Sequence, residues 1–298
     1  MVTVPHDAYP DLTVPYHYDF AETTNSRALQ LVNHVDSLDL PVVVSWSGGI
    51  DSTVILAALV KNWPPSLLDR VVVKMNSASY FENPWFFDRI IVPHKFKIQQ
   101  TLDNWETCFM LTGSCADSLW VQADVVELEI IWPGSSQWSM IDRKDVIIQW
   151  ISQKSSWDTA HVLYDMVLES SQRAGLNLTT IEDFYWWWNF NFVYTGQLYK
   201  YLNDYQSSSS KIDLAAWHHQ HLGWYHSDAY QSWSAWNRSN GVKINKTVRS
   251  YKWPAKQYIY EVDGNHWYRD YKTKMASNQK TGNRRLIRAL WNDGSVLI

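Results

Sequence analysis

Short runs of β-branched residues alternate with amphipathic stretches through the first third of the chain. Glu22 to Leu38 carries Leu29, Val32 and Val35 at helical spacing, after a short extended lead-in from Tyr16 to Phe20. Val42 to Trp46 (VVVSW) is a continuous apolar run, the pattern of a strand buried on both faces. It breaks at Ser47-Gly48-Gly49. Asp51 to Asn62 then reads as a helix apolar nearly all round, stopped by Pro64-Pro65. The alternation repeats with a strand at Arg70 to Asn76, a helix at Pro84 to Ile91 and a strand at His94 to Gln99. A helical piece at Leu102 to Glu106 precedes a strand at Cys108 to Thr112. This order predicts βαβ units, hence an α/β fold with a parallel sheet of about five strands and flanking helices. Ligands of such sheets lie beyond the carboxyl ends of the strands, where loops 47–52 and 113–118 emerge.

Beyond Pro133-Gly134 the alternation stops. Lys144 to Lys154 and Thr159 to Ala174 read as helices. Thr179-Thr180-Ile181-Glu182 resembles a capping box opening a long helix, in which Ile181, Phe184, Trp188, Phe192, Tyr199 and Leu202 recur near the helical period. Ser207 to Ser210 is a polar loop. The predicted organisation is a lead-in and helix over 1–40, an α/β nucleotide-binding core over 41–135, and a mainly helical region over 136–298 that completes the site.

Size and composition narrow the class. At 298 residues, with 46% hydrophobic and 19% charged residues, the chain can bury a core unaided and is not extended disorder. Two cysteines, Cys108 and Cys115, build neither a disulfide framework nor a four-cysteine zinc site. No apolar run approaches the roughly 18 residues of a membrane span, and the first 30 residues lack signal-peptide order, so a cytoplasmic protein without membrane contact is expected. The net charge of -4 conceals an asymmetry, because Lys243 to Arg288 holds twelve Lys/Arg against three acids. A basic segment on an acidic body suggests an anionic ligand held locally, although a solvated helical face has the same pattern.

The loop Ser47-Gly48-Gly49-Ile50-Asp51-Ser52-Thr53 carries the chemistry. Two residues without β-carbons let successive N–H groups converge at the positive end of a helix, and Ser47, Ser52 and Thr53 add hydroxyls. Asp51 beside a phosphate makes sense when a divalent cation bridges the two. No lysine follows the glycines, so the loop is not of the Walker type.

SGGxDS after a strand resembles the PP-loop of the ATP pyrophosphatases, which split ATP between the α and β phosphates. Leu111 to Trp120 (LTGSCADSLW) resembles the SGEGADELFGG stretch of asparagine synthetase-like synthase domains. There Thr112-Gly113 aligns with Ser-Gly and Asp117 with the second metal-binding aspartate. Phe184 to Thr195 and Tyr251 to Val262 also look like parts of short stand-alone synthase-like proteins, several of them virus-encoded. The likeness covers residues 20–275, its specific motifs confined to the two loops and the late lysines.

The resemblance implies a Rossmannoid PP-loop fold and an ATP- and Mg²⁺-dependent ligase that adenylates a carboxylate, releases pyrophosphate and forms an amide. By it, Ser47, Gly48, Gly49, Ser52 and Thr53 cradle pyrophosphate, and Asp51 and Asp117 hold Mg²⁺. Lys252 or Lys256, with Lys252 favoured, neutralises charge on pyrophosphate. Adenine lies near Met75 and Asn76, and Val44, Ser45 and Trp46 line the same cleft with Gly113 at its second loop.

Two departures qualify this. Residue 2 is Val2, where glutamine-dependent relatives carry a nucleophilic cysteine, so free ammonia, another amine or a separate glutaminase subunit is the expected nitrogen source. The family's GEG glutamate aligns with Ser114, and Asp-Glu becomes Asp117-Ser118. Serine alone is no general base at neutral pH, so adenylation is better supported than asparagine formation.

Other constellations rank lower. Cys115 invites thiolation chemistry, but packing is the simpler reading. His218, His219, His221 and His226 lack an acid or cysteine to complete a metal set. Trp186-Trp187-Trp188 points three ways on a helix and fits core packing better than base stacking. A PP-loop enzyme modifying tRNA or a nucleobase is the second reading. A non-catalytic nucleotide-binding or interaction protein with a degenerate site is the third.

Overall fold

The computed structural model describes residues 11–12, 14–100, 108–113, 116–120, 123–193, 221–237 and 252–272. The expected helix at Leu102 to Glu106, Ser114, Cys115, His218, His219 and the Ser207 to Ser210 loop lie outside them. The chain divides into two compact units. One comprises residues 1–23, 114–216 and 223–254, and the other 24–113, 217–222 and 255–298.

The second unit holds the sheet. Its strands are β1 (Val42–Ser45), β2 (Val71–Lys74), β3 (Lys97–Gln99) and β4 (Phe109–Thr112). The order β3-β2-β1-β4 is parallel throughout, with Val42 opposite Val71 and Phe109, and Ser45 opposite Lys74 and Thr112. Four parallel strands replace the expected five or so. A further segment, β5 (His221–Gly223), follows β4 in the sheet order and is only three residues long. The valines of β1 and β2 are buried, as their continuous apolar run requires.

Helix α1 (Phe20–Leu38) starts two residues before the hydrophobic pattern does. Asp19 and Glu22 cap it reciprocally, each side chain accepting from the other's N–H at 2.8 and 2.7 Å. Helix α2 (Ile50–Asn62) buries nine residues between Ile50 and Leu59. Next come α3 (Pro65–Leu68), α4 (Ser77–Glu82) and α5 (Pro84–Phe86). The expected Pro84 to Ile91 helix is α5 followed by a wider π turn, Phe87–Ile91. The strand expected from His94 begins only at Lys97, because Lys95 takes a left-handed φ of 53° that no strand accommodates. Helix α4 had a sequence signal, since Asn76 and Ser79 form a reciprocal cap.

The first unit is helical and aromatic. It contains α6 (Ala123–Ile131), α7 (Lys144–Ser152), α8 (Trp157–Arg173), α9 (Ile181–Trp187) and α10 (Asp228–Trp236). The box opening α9 is Thr180 with Asp183, one residue later than the sequence suggested. The Asp183 carboxylate also takes the N–H and hydroxyl of Thr179 at 2.9 and 3.0 Å, which settles the register. After Trp187 the helix widens into a π turn, Trp188–Val193. Phe20 packs against Trp120, Tyr230 and Trp233, and Trp186 and Trp187 are buried. Their indole N–H groups donate to Ser234 and Ser170, so these rings belong to the core. The chain passes from this unit to the other along α11 (Trp253–Asp263), which α12 (His266–Tyr271) follows.

Among the described residues, no helix is long and apolar enough to cross a membrane.

Candidate functional site

Three neighbouring strands end level with one another, at Ser45, Lys74 and Thr112. The residues just beyond them include most of those singled out in the sequence: Ser47 to Thr53 after β1, Met75 and Asn76 after β2, and Gly113 after β4. They converge at the carboxyl edge, where α/β sheets take their ligands.

The turn after β1 is built from side chain to backbone. Gly48 adopts φ 77°, and a β-carbon there would meet the carbonyl oxygen of Ser79 at 2.2 Å and Cβ of Glu82 at 2.8 Å. Only glycine fits. Gly49 precedes α2 and caps it with no side chain, so the first-turn N–H groups face the loop. Hydroxyls knit the remainder. Ser52 Oγ accepts the Ser47 N–H at 3.0 Å, Ser47 Oγ accepts the Gly49 N–H at 3.2 Å, and Thr53 Oγ1 donates to the Gly49 carbonyl at 2.8 Å. The Trp46 indole donates to Thr53 at 3.0 Å, pinning the buried side of the turn. Ser47 is exposed, Gly49 and Asp51 are half-buried, and Ser52 and Thr53 are buried. Hence Ser47 and the backbone of Gly49 face outward, whereas Thr53 serves the turn itself.

Gly113 lies directly against this helix start. A β-carbon on it would stand 3.0 Å from the Ser52 nitrogen and 3.2 Å from Cβ of Asp51. Thus Asp51 and Gly113, 62 positions apart in the chain, are brought together. Met75 is buried, and Asn76 caps α4 by accepting the Ser79 N–H at 3.1 Å. Ser45 is half-buried at the end of β1.

The same unit contributes residues that the sequence reading missed. Tyr268 on α12 donates its hydroxyl to the Gly48 carbonyl at 3.1 Å. Burial pushes its phenol well above the ordinary range, against a bond from Thr53 that lowers it. Lys272 Nζ lies 2.9 Å from Glu82 Oε1, with the side chains only 4% and 6% exposed. Lys256 is fully buried and donates to the Lys272 carbonyl at 3.3 Å. Burial lowers its ammonium to about 8, with Asp270 opposing. Tyr268 and Lys272 belong to the basic, aromatic tail of the sequence, but charge alone does not separate Lys272 from eleven other cations there.

Asp117 and Lys252 belong to the other unit. Asp117 sits in the short 3-10 turn Ala116–Leu119, and its Oδ1 takes Lys252 Nζ at 2.6 Å. Asn189 donates to the carbonyls of Asp117 and Trp120, and Ser234 to that of Leu119 at 2.8 Å. These bonds close the carbonyl end of the turn. Asn189 comes from the WWWNF run, whose polar member carried the signal that its aromatics obscured. Ser118 is buried in the same turn.

No group of three or more His, Cys, Asp or Glu that would hold a metal occurs among the described residues. Asp51 and Asp117 are two carboxylates in separate units, so their pairing on one cation rests on the sequence resemblance. No protein-family model matches the chain, and neither a curated protein nor a solved structure matches it.

Proposed function

We propose that this protein binds Mg²⁺-ATP at the Ser47 to Thr53 turn and splits it into AMP and pyrophosphate, activating a carboxylate for amide formation in the manner of asparagine synthetase-like PP-loop enzymes. The observation that carries the reading is the turn itself. Left-handed Gly48 and side-chain-free Gly49 join a parallel strand to an outward-facing helix start, with Asp51 in its first turn. That is a cradle for a polyanion with a carboxylate beside it.

The residues fit the implied cofactors. Bound Mg²⁺ would draw charge from the β and γ phosphates. Asp51 supplies an oxygen ligand of the type this ion prefers, the Ser47 hydroxyl and the N–H groups at the start of α2 hydrogen-bond phosphate oxygens, and Met75 and Asn76 border the adenine side. Lys252, which holds Asp117 in the other unit, is given a role toward the departing pyrophosphate by the sequence resemblance alone. On this reading the α/β unit is a Rossmannoid PP-loop fold, and ammonia or another amine completes the amide.

Isotope exchange between pyrophosphate and ATP, with Mg²⁺ and a panel of carboxylates, tests the proposal. Exchange with one acid, abolished by Asp51→Ala, supports adenylation and names the acid. Binding of ATP without exchange for any acid or for tRNA would favour the non-catalytic reading instead.

A further inference from the structure

The Glu82–Lys272 pair is more than a fastening for the chain. The last turn of α4 lies hard against the nucleotide loop, since the space a Gly48 side chain would need is taken by Ser79 and Glu82. Glu82 Oε1 stands 3.5 Å from where a Gly49 β-carbon would be, and that same oxygen holds Lys272 Nζ at 2.9 Å. An ammonium is thereby carried to within one carboxylate of the glycines.

The delivery is rigid. Tyr268, four residues before Lys272, bonds the Gly48 carbonyl, and the Lys272 N–H donates to the Tyr268 carbonyl at 3.1 Å. Lys256 holds the Lys272 carbonyl from behind. Lys256 therefore positions backbone, while Lys272 holds its charge on Glu82, whose oxygen borders the loop. An ammonium has three donors, of which Glu82 takes one, and its compact charge suits phosphate oxygens. As a stability device, a buried ion pair gains little over apolar residues of equal size.

Building on the nucleotide reading of the loop, we propose that Lys272 binds the diphosphate end of the nucleotide, with Glu82 as its positioning residue. Glu82 fixes the direction of the ammonium and keeps its charge from being left alone in a buried place. The ligand class is the β,γ-diphosphate of a nucleoside triphosphate, or pyrophosphate itself.

Calorimetric binding of ATP, AMP and pyrophosphate to the full chain with Mg²⁺ provides the test. Lys272→Met should weaken ATP and pyrophosphate by about tenfold or more, as loss of a charge-assisted bond does. AMP, which lacks the diphosphate, should stay within about twofold. Since that variant leaves Glu82 buried and unpaired, Glu82→Gln/Lys272→Met is made alongside it. The double variant should melt near the wild type and show the same selective loss. Lys272→Arg, which keeps charge and partner, should recover most of the pyrophosphate affinity. A folded double variant with wild-type pyrophosphate affinity overturns the assignment, as does an equal loss of AMP and ATP. Wild-type protein that binds neither ATP nor pyrophosphate refutes the nucleotide reading itself.

Discussion

Lys252 Nζ lies 2.6 Å from Asp117 Oδ1, yet the lysine side chain is 2% exposed and the aspartate 43%. The charge comes up from beneath the 3-10 turn and meets a carboxylate that still faces water. Lys252 also holds φ 48°, a left-handed conformation costing roughly 1–2 kcal/mol for a residue with a β-carbon. Strain of this kind persists where surrounding contacts fix the side chain. On the adenylation reading, with the role the sequence resemblance gives Lys252, Lys252→Met should lower pyrophosphate exchange by about a hundredfold, the scale of losing one preorganised charge partner. Lys252→Gly should melt higher than Lys252→Ala despite losing more side chain, because glycine alone relieves the backbone. The reverse order of melting temperatures would show that Lys252 is not strained.

Gly48 and Gly134 separate conformation from space. Both are left-handed, with φ 77° and 88°, but a β-carbon at Gly134 meets nothing within 4 Å whereas one at Gly48 collides with the Ser79 carbonyl at 2.2 Å. Gly134→Ala should cost only the conformational penalty, about 1 kcal/mol. Gly48→Ala should cost more than about 2 kcal/mol, since α4 must move as well, and should abolish ATP binding. Urea melts of the two variants check the difference. Equal costs would mean that α4 yields easily.

Asn189 offers a test of how the Asp117 turn is held. Its side-chain N–H₂ closes the carbonyls of Asp117 and Trp120 inside the aromatic core. Asn189→Leu orphans both acceptors and should destabilise by about 2–6 kcal/mol, each unmet group costing about 1–3 kcal/mol. Asn189→Asp should be worse, because it faces carboxylate oxygens toward carbonyl oxygens. If the leucine variant is as stable as wild type by denaturant titration, those carbonyls find other donors and the turn does not depend on Asn189.

Those relationships differ in how legible they were in the chain. The strands were readable because Val42 to Val44 and Val71 to Val73 are continuous β-branched runs, which buried parallel strands require. The turn at Ser47 to Gly49 was readable because glycines directly after an apolar run break a strand and permit the left-handed Gly48. Lengths were harder. Local backbone events, a left-handed Lys95 and a π turn after Phe86, shortened β3 and α5 without altering the hydrophobic pattern. Glu82, Asn189, Tyr268 and Lys272 were invisible for another reason. Each acts through a partner between 72 and 220 positions away, as in Asn189 with Asp117 and Tyr268 with Gly48, and no local spacing encodes such a meeting.

Lys256 and Asp263, on the same helix, bend the pH profile of stability in different ranges. Burial lowers Lys256 from 10.5 to about 8, so the folded protein holds that proton less tightly than the unfolded chain does. Its contribution is fully present above about 10.5 and is lost as pH falls through about 8. Stability should therefore rise with pH across that window in wild type, and Lys256→Met should flatten the rise. A variant whose thermal stability still climbs between pH 8 and 10 would show that Lys256 is not the group responsible.

Asp263 has the reverse sign. Burial raises its carboxyl from 3.8 to about 6, against the Asn265 N–H that lowers it, and Asp263 Oδ2 is buried without a hydrogen-bond partner among the described residues. The folded state thus holds this proton more tightly, so its contribution is complete below about pH 4 and is lost as pH rises through about 6. Asp263→Asn keeps an oxygen to accept the Asn265 N–H at 2.8 Å and has no charge to bury. It should match wild type near pH 4, gain on it steadily to about pH 6, and keep a constant advantage beyond. The Trp85 indole, which donates to the Asp263 main-chain carbonyl at 2.9 Å, is untouched by the change, so the turn into α12 stays anchored. Paired melting curves from pH 4 to 8 decide the matter. A gap between variant and wild type that does not widen with pH would mean that the carboxyl titrates in its ordinary range.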